Sequence, residues 1–348
     1  MTSLHHDFQK LIEAESAKAN TNAILLAVQS GDEQVTWRGC AKAPIDAPFY
    51  IASLTKMFTA TLILQLKDKG MLSLDQTAQS ILVEHDLSPL HMIKGIAYGP
   101  QLTIRQLLHQ TSGLADYFEG HLLKMLRQGR DQAYDLQDVL RMTQSLSPQA
   151  RPNSGKSYYS DTNYQLLGAI IETVTGQSFQ EVLHRQICAP LGLSHTRVFE
   201  RQDGHRPPPL AVFQKTQQLD LSLSLSSMGA DGGIVSTIED VLVFLRAYMK
   251  HELFDPSNVS QVRQFNPMSF PVQYGMGLMR FHLPRWMTVF RDTPELIGHS
   301  GASGSFAFYA PAVDVYMVGV FNQLDAPQRP FKVMMQILRL LRQHRCSR

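Results

Sequence analysis

The chain has 348 residues, 44% of them hydrophobic and 18% charged, and its 32 basic and 30 acidic residues give a formal net charge of +2. This composition is typical of a soluble globular protein, and the length allows one large domain or two closely packed ones with a sizeable core. No basic stripe with interleaved aromatic residues is present, so we expect no nucleic-acid partner.

The cysteines and the N-terminus bear on the cellular compartment of the protein. Cys40, Cys188 and Cys346 are scattered, without metal-ligand spacing or a full disulfide set, which favours a reducing environment. Residues 1–20 lack the apolar core of a signal peptide, and no apolar run is long enough to span a membrane. We therefore expect a cytoplasmic protein without membrane contact, or a periplasmic one if a leader has been removed. The oligomeric state is not indicated.

Periodicity and turn signals predict strands near both ends of the chain and helices between them. In chain order we predict a helix within 1–20, two strands within 22–41, helices over 53–69, 103–110, 162–176, 178–192 and 236–250, short strands within 274–283, 286–292, 296–301, 305–311 and 313–322, and a helix over 331–343. This order excludes a regular βαβ alternation. It predicts a sheet built from both ends of the chain, with terminal helices packed on it, an inserted helical region, and a site in the cleft between the two parts.

One lysine stands out in the predicted helix over 53–69. This helix is apolar on nearly every side, which predicts burial, yet Lys56 follows Ser53 by three residues and shares its face. Burial and the positive end of the helix dipole both disfavour the charge of Lys56, so we expect a neutral amine that activates the Ser53 hydroxyl. The Ser53 N–H would face a developing oxyanion. The alternative is a serine that only caps the helix.

Two further motifs carry candidate site residues. Tyr159, Ser160 and Asp161 precede a helix, and a tyrosine beside an amine is expected to lose its proton more readily than in water and to act as base and then acid. The alternative for Tyr159 is a packing role.

The second motif, His299-Ser300-Gly301, ends a predicted strand whose edge would line the cleft. Ala302 would offer a second backbone N–H opposite that of Ser53, and Gly301 would let a substrate approach the backbone closely. The alternative is a glycine-rich hairpin with a surface histidine.

Together the three motifs resemble the signature of the penicillin-recognising serine hydrolases. They are Ser53-Leu54-Thr55-Lys56, Tyr159-Ser160-Asp161 and His299-Ser300-Gly301. The tyrosine motif is similar to that of the class C branch, which comprises class C β-lactamases, D-alanyl-D-alanine carboxypeptidases and related esterases. The flanking stretches LTIRQLLHQTSGL (102–114), SSMGADGGIVSTIEDVLVFL (226–245) and QYGMGL (273–278) resemble family stretches in the same order, and the resemblance extends over about 22–340.

The resemblance implies roles for these residues. Ser53 would be the acylated nucleophile, Lys56 its partner and Tyr159 the proton shuttle, while the N–H groups of Ser53 and Ala302 would form the oxyanion hole. His299 takes the place of the lysine or histidine of the third motif. Ser300, Gly301 and Asp161 would contact the substrate.

The resemblance also implies a fold. It is α+β, with an antiparallel sheet flanked by the N- and C-terminal helices and an inserted, mostly helical subdomain. We expect a single catalytic domain over 1–348, with a sheet part near 1–50 and 255–348 and a helical part near 51–254. No metal or organic cofactor is implied.

Two departures from the family pattern bear on specificity. Asp161 replaces the common asparagine; an ionised aspartate only accepts hydrogen bonds and favours a charged Lys56. It would select a substrate with a donor or cationic group, such as a free amine, or only cap the helix from 162. His299 replaces the lysine of dedicated β-lactamases and, being mostly neutral, would hold a carboxylate less firmly. We therefore expect a hydrolase of small esters, amides or short peptides, with β-lactamase activity weak or absent.

Several alternatives remain open at the level of sequence. The same site would serve a β-lactamase or an acyltransferase, and a non-catalytic relative would only bind ligands. Residues 298–302 also resemble a nucleophile elbow, but that motif needs a following helix and a downstream histidine, whereas strands follow here and His344 lies in the tail. We expect the segment 115–150 to overhang the cleft and to determine specificity.

Overall fold

A computed structural model describes residues 2–201, 206–283, 294–324 and 326–346. The strands in this part of the chain are β1 (Ile24–Ser30), β2 (Thr36–Ala41), β3 (Phe49–Tyr50), β4 (Met92–Ile93), β5 (Ile96–Ala97), β6 (Arg197–Val198), β7 (Phe213–Gln214), β8 (Gln217–Gln218), β9 (Ile234–Ser236), β10 (Asn266–Ser269), β11 (Val272–Tyr274), β12 (Met279–Phe281), β13 (Leu296–Ser300), β14 (Ser305–Ala310) and β15 (Val315–Val320). The predicted strand within 286–292 lies outside the described residues.

The main sheet joins the two ends of the chain. Within the described residues it has eight antiparallel strands in the order β10-β11-β12-β13-β14-β15-β1-β2. Leu25 of β1 lies opposite Val320 of β15, so an early strand completes a sheet made mostly from the last third of the chain. A smaller sheet has the order β3-β9-β6.

The α-helices occupy both ends and the middle of the chain. They are α1 (Thr2–Ser16), α2 (Thr55–Asp68), α3 (Ala78–Ile81), α4 (Ile104–Leu108), α5 (Leu123–Arg127), α6 (Leu136–Gln144), α7 (Asp161–Thr175), α8 (Phe179–Leu183), α9 (Ala189–Leu191), α10 (Ser222–Met228), α11 (Ile238–Met249), α12 (Val259–Val262) and α13 (Arg329–Cys346). No helix in the described ranges is both long and apolar enough to cross a bilayer.

The main sheet is covered by helices on both faces, as the burial of β1 shows. All seven residues of β1 are buried, so the strand reads as continuously apolar instead of alternating. Leu26 and neighbours on its face pack with α1 and α13, while Leu25 and Ala27 face α2 and α11. The α+β fold with an antiparallel sheet, flanking terminal helices and a helical insertion is confirmed.

Some elements differ locally from the prediction. The helix predicted over 53–69 begins with a 3₁₀ turn, Ala52–Leu54, before α2. The helix predicted over 178–192 is divided by a π-helical segment, His184–Cys188. Thr103 caps α4 as expected, and Gln106 completes a capping box. The short strand β10 has little apolar alternation and was not predicted.

Helix α2, which carries Lys56, is anchored by an aromatic pair. The rings of Phe58 and Phe244 are stacked, with centroids 3.6 Å apart and an interplanar angle of 11°. Both side chains are almost completely buried. The stacking joins α2 to α11 and therefore holds α2 against the layer that covers the main sheet.

We predict that Phe58→Ala lowers the free energy of unfolding by about 3–5 kcal/mol, because it deletes a large side chain from a packed core and leaves a cavity. Guanidinium denaturation of wild type and variant measures this difference. The matched control is Val83→Ala, because Val83 is 73% exposed and its truncation should change stability by at most about 0.5 kcal/mol. Equal effects of the two substitutions would contradict the prediction.

Candidate active site

Ser53 lies on a strained turn between β3 and α2. The preceding residue, Ala52, has a φ of +49°, a left-handed conformation that is uncommon for a residue with a side chain. The turn is held by hydrogen bonds from the Ile51 N–H to the Ile234 carbonyl, 3.0 Å, and from the Leu54 N–H to the Ile51 carbonyl, 3.2 Å. It places Ser53 at the start of the helical segment.

The end of β13 and the start of β14 pack directly against this turn. The hydroxyls of Ser303 and Ser305 donate to the carbonyls of Tyr50 and Ile51, each at 2.7 Å. A Cβ added to Gly301 would lie 2.6 Å from the Ile51 carbonyl oxygen. The expectation that Gly301 makes room for a substrate is therefore corrected: the chain itself fills that space.

Lys56 is completely buried beside Ser53. Its Nζ lies 3.3 Å from Ser53 Oγ and donates to the main-chain carbonyl of Asp231 at 2.6 Å, and it forms an ion pair with the carboxylate of Asp161. The residue that departs from the family pattern thus supplies the ionic partner of the buried lysine. The neutral amine that we expected from burial and the helix dipole stays a prediction.

Asp161 pairs with Lys56 and does not cap a helix. It is the first residue of α7, whose N-cap position is Ser160, and no side chain caps the helix there. The Ser160 hydroxyl instead donates to the Ala115 carbonyl at 2.8 Å. The capping role considered for Asp161 is therefore wrong, because its carboxylate turns toward the buried ammonium.

Tyr159 lies against the same lysine. Lys56 Nζ is 5.0 Å from the centroid of its ring. Burial and then the charge of Asp161 raise the pKa of Tyr159 well above its ordinary value, and an interaction with the Ser53 hydroxyl opposes them. The phenol is thus protonated at neutral pH, the opposite of the proton loss that we expected. The cause is that burial and a negative neighbour outweigh the lysine.

Two further carboxyl groups surround the ion pair. Burial, and then the charge of Asp161, raise the pKa of Asp116 and of Asp231 to about 8. Oδ1 of Asp116 accepts from the Asp161 N–H at 3.2 Å, and Oδ2 of Asp231 accepts from the Tyr117 hydroxyl at 2.6 Å. Sequence reasoning missed these residues. Asp116 and Tyr117 lie in the segment 115–150, which we expected to overhang the cleft, and this expectation was the feature of the sequence that pointed to them.

His299 is buried and uncharged. Burial and the charge of Lys56 lower the pKa of His299 to about 3. Its Nδ1 lies 2.7 Å from the Ser300 carbonyl, so Nδ1–H donates there, and Nε2 accepts from the Tyr274 hydroxyl at 3.2 Å. The side chain is 0% exposed, which excludes a surface histidine. The His299 ring packs near Tyr159, with their ring centroids 6.3 Å apart, and therefore supports the position of that phenol.

A cavity of about 160 Å³ opens beside Ser53. Its lining residues are Tyr50, Ala52, Ser53, Asp116, Phe118, Glu119, Leu123, Leu126, Tyr159, Asp161, Val212, Leu221, Leu225, Met228, Asp231, Gly232, Ala302, Ser303 and Leu324. The structure thus brings Ser53, Tyr159, Asp161 and Ala302 together at one cavity. His299, Ser300 and Gly301 are not among the residues that line this cavity. The Ser300 hydroxyl contacts the Met279 sulfur at 3.6 Å.

The cavity contains two backbone donors without protein acceptors. Ser53 is at the first turn of its helical segment, where N–H groups lack intrahelical partners. Neither the Ser53 nor the Ala302 N–H donates to an acceptor among the described residues. Both remain available for an oxyanion. In the same part of the chain, no group of three or more His, Cys, Asp or Glu side chains is placed to hold a metal ion.

The raised pKa of Asp231 has a consequence for stability. In the folded chain Asp231 keeps its proton up to about pH 8, whereas in the unfolded chain, where its pKa is 3.8, it loses the proton at lower pH. This contribution to stability is complete below about pH 4 and is lost as the pH rises toward about 8. We predict that Asp231→Asn, which keeps an acceptor for Tyr117, reduces the fall in unfolding free energy between pH 5 and pH 8.

Urea denaturation at pH 5 and pH 8 tests this prediction. The matched control is Glu84→Gln, an exposed carboxyl far from the cavity in sequence and outside its lining, which should follow the wild-type pH dependence. If Asp231→Asn loses as much stability over this range as wild type, Asp231 does not hold the proton.

Comparisons with known proteins agree with this geometry. The family described as Beta-lactamase matches residues 8–339. Penicillin-binding protein 4* of Bacillus subtilis (strain 168) is 27% identical over 324 residues, which is 84% of this chain; the chain spans 65% of that relative's length.

Two solved structures share the fold over nearly the whole chain. The D-stereospecific amidohydrolase from a Streptomyces species is 26% identical, with a TM-score of 0.80 over 95% of this chain and 97% of its own. The D-amino acid amidase from Ochrobactrum anthropi SV3 has a TM-score of 0.81 over 99% of both chains at 22% identity, which shows the fold alone. The family match covers nearly all of the sequence, and the chain belongs to the beta-lactamase family.

Proposed function

We propose that this chain is a serine hydrolase of small esters or amides that works through an acyl-enzyme on Ser53. The observation that carries the proposal is the 3.3 Å separation of Ser53 Oγ and Lys56 Nζ beside an open cavity. The family membership supports it, as does the similarity to a D-stereospecific amidohydrolase. The proposal includes a single catalytic domain formed by 1–348.

The proton path follows from the charges around Ser53. In the proposed path Asp161 first takes a proton from Lys56, which leaves a neutral amine within reach of Ser53. Ser53 gives its proton to Lys56 as Oγ bonds to the substrate carbonyl carbon. Tyr159, which is protonated at rest, gives its proton to the leaving group and regains one from Lys56. Water then releases the acyl group by the reverse path.

The negative charge of the tetrahedral intermediate needs donors that are already in place. The Ser53 and Ala302 N–H groups fill this role. Their two chain segments are held together because the hydroxyls of Ser303 and Ser305 donate to main-chain carbonyls just before Ser53. Donors that are fixed before the reaction cost no reorganisation when charge develops. Ala302 is exposed at the cavity, so a substrate carbonyl can reach its N–H.

The charges at the cavity favour esters and amides over β-lactams. No lysine, arginine or histidine is among the described residues that line it, and His299 is buried and uncharged. A β-lactam carboxylate would therefore meet carboxyl groups instead of a cation. Acyl transfer to an alcohol or amine uses the same acyl-enzyme and differs only in the acceptor. A ligand-binding relative without catalysis would not need the Ser53–Lys56 contact.

We predict that Ser53→Ala lowers kcat for p-nitrophenyl acetate and butyrate by about 10³-fold or more, because the variant lacks the nucleophile. Steady-state and burst kinetics at neutral pH measure this loss. Ser154→Ala is the matched control, because Ser154 is exposed and does not line the cavity. Similar rates in wild type and Ser53→Ala would overturn the proposed nucleophile, and absence of turnover in both would favour a binding protein.

We also predict that kcat/KM of wild type for nitrocefin is at least about tenfold lower than for p-nitrophenyl butyrate. The physical reason is the missing partner for the drug's carboxylate, since a hydrogen bond to a charged group contributes about 1.5–3 kcal/mol. Ser53→Ala supplies the background rate for both substrates. Efficient, Ser53-dependent nitrocefin turnover would show that the site is a β-lactamase.

A further inference from the structure

The cavity beside Ser53 has an unusual charge balance. Four of its lining residues are carboxylic acids: Asp116, Glu119, Asp161 and Asp231. The cation that interacts with both Asp116 and Asp231 is Lys56, which is already engaged by Asp161 and by a main-chain carbonyl. Asp116 and Asp231 hold protons at rest because burial and the charge of Asp161 raise their pKa. A second cation in the cavity would stabilise their ionised forms and let them release these protons.

Asp231 provides an independent sign that a donor is missing. The residue is 2% exposed, and Oδ2 is engaged by Tyr117. Its Oδ1 is buried and has no hydrogen-bond partner among the described residues. A polar group supplied by a ligand would satisfy this buried oxygen.

Much of the remaining cavity wall is apolar. Its apolar side chains include Leu123, Leu126, Val212, Leu221, Leu225 and Met228. The volume of about 160 Å³ is comparable to that of apolar cavities that hold a benzene ring. The site therefore offers acceptors on one side and space for an apolar or aromatic group on the other.

An organic ammonium group satisfies these acceptors better than a metal ion does. The acidic side chains are not arranged as a metal site in the described part of the chain. An ammonium group has three N–H donors and no acceptor, and a carboxyl group that has released its proton only accepts, so the two match once Asp116 and Asp231 ionise. Glu119 is exposed, so its charge is accessible to an approaching cation.

We propose that Asp116, Glu119, Asp161 and Asp231 form a subsite for the free amine of the substrate. The preferred acyl donors are then amides or esters of amino acids with an apolar side chain and an unblocked amino group. This inference rests on the proposed function of Ser53 for its catalytic part. The amine subsite itself can be tested without turnover.

The first experiment measures binding to Ser53→Ala by calorimetry, with 2-phenylethylamine and its neutral counterpart 2-phenylethanol. We expect the amine to bind at least about tenfold more tightly, as a charge-assisted hydrogen bond requires. Glu119→Gln in the same background should reduce this preference at least about threefold. Equal affinity for the two ligands would overturn the inference, whatever the outcome of the esterase assays.

The second experiment measures kcat/KM of the active enzyme for phenylalaninamide, as both enantiomers, and for 3-phenylpropanamide, which lacks only the amine. We expect a preference of at least about tenfold for one enantiomer of the amine-bearing amide. Asp116→Asn and Glu119→Gln should each lower this ratio. Asparagine keeps the Asp116 acceptor for backbone N–H groups, and Glu119 is exposed, so the second variant should fold even if the first does not.

Glu84→Gln is the matched control in both experiments, because it removes an exposed carboxylate outside the cavity. It should keep the wild-type preference for the amine. A preference that Glu84→Gln reduces as much as Glu119→Gln does would indicate a general charge effect and would overturn the assignment of the subsite. Loss of Ser53-dependent ester turnover alone would count against the proposed function and not against amine binding.

Discussion

The buried ion pair between Lys56 and Asp161 is the interaction on which the site depends. It joins the first turn of α2 to the first residue of α7, two helices more than a hundred residues apart in the chain. Because the pair is buried, removing one partner alone would leave an uncompensated charge, which is far more costly than the pair itself. The pair also places a carboxylate beside the amine that lies 3.3 Å from Ser53 Oγ.

The electrostatic state of the neighbours follows from this pair. The charge of Asp161 contributes to the raised pKa values of Tyr159, Asp116 and Asp231. A phenol that stays protonated suits proton donation to a leaving group, and two carboxyl groups that hold protons at rest can release them when a cation arrives. A single residue that departs from the usual asparagine thus changes the charge of the whole cavity.

The fold serves the site mainly by fixing backbone groups. The strained turn at Ala52, the hydroxyls of Ser303 and Ser305 and the close approach at Gly301 hold two chain segments against one another. These segments carry the backbone N–H groups of Ser53 and Ala302. The main sheet, closed by pairing β1 with β15, gives this arrangement a rigid support, because both of its faces are packed.

The features that depend on local spacing could be predicted from the sequence. The three-residue interval between Ser53 and Lys56, the nearly all-apolar α2 and the strands at both ends predicted the α+β fold and the motif residues, because period and turn chemistry act over a few positions. The charges of the site depend on the tertiary structure. Asp231 reaches Lys56 across 175 residues, Tyr274 and the sheet bury His299, and Asp116 comes beside Asp161 through a loop contact. Such proximities set burial and pKa values, and they cannot be obtained from spacing because they arise when distant segments pack together.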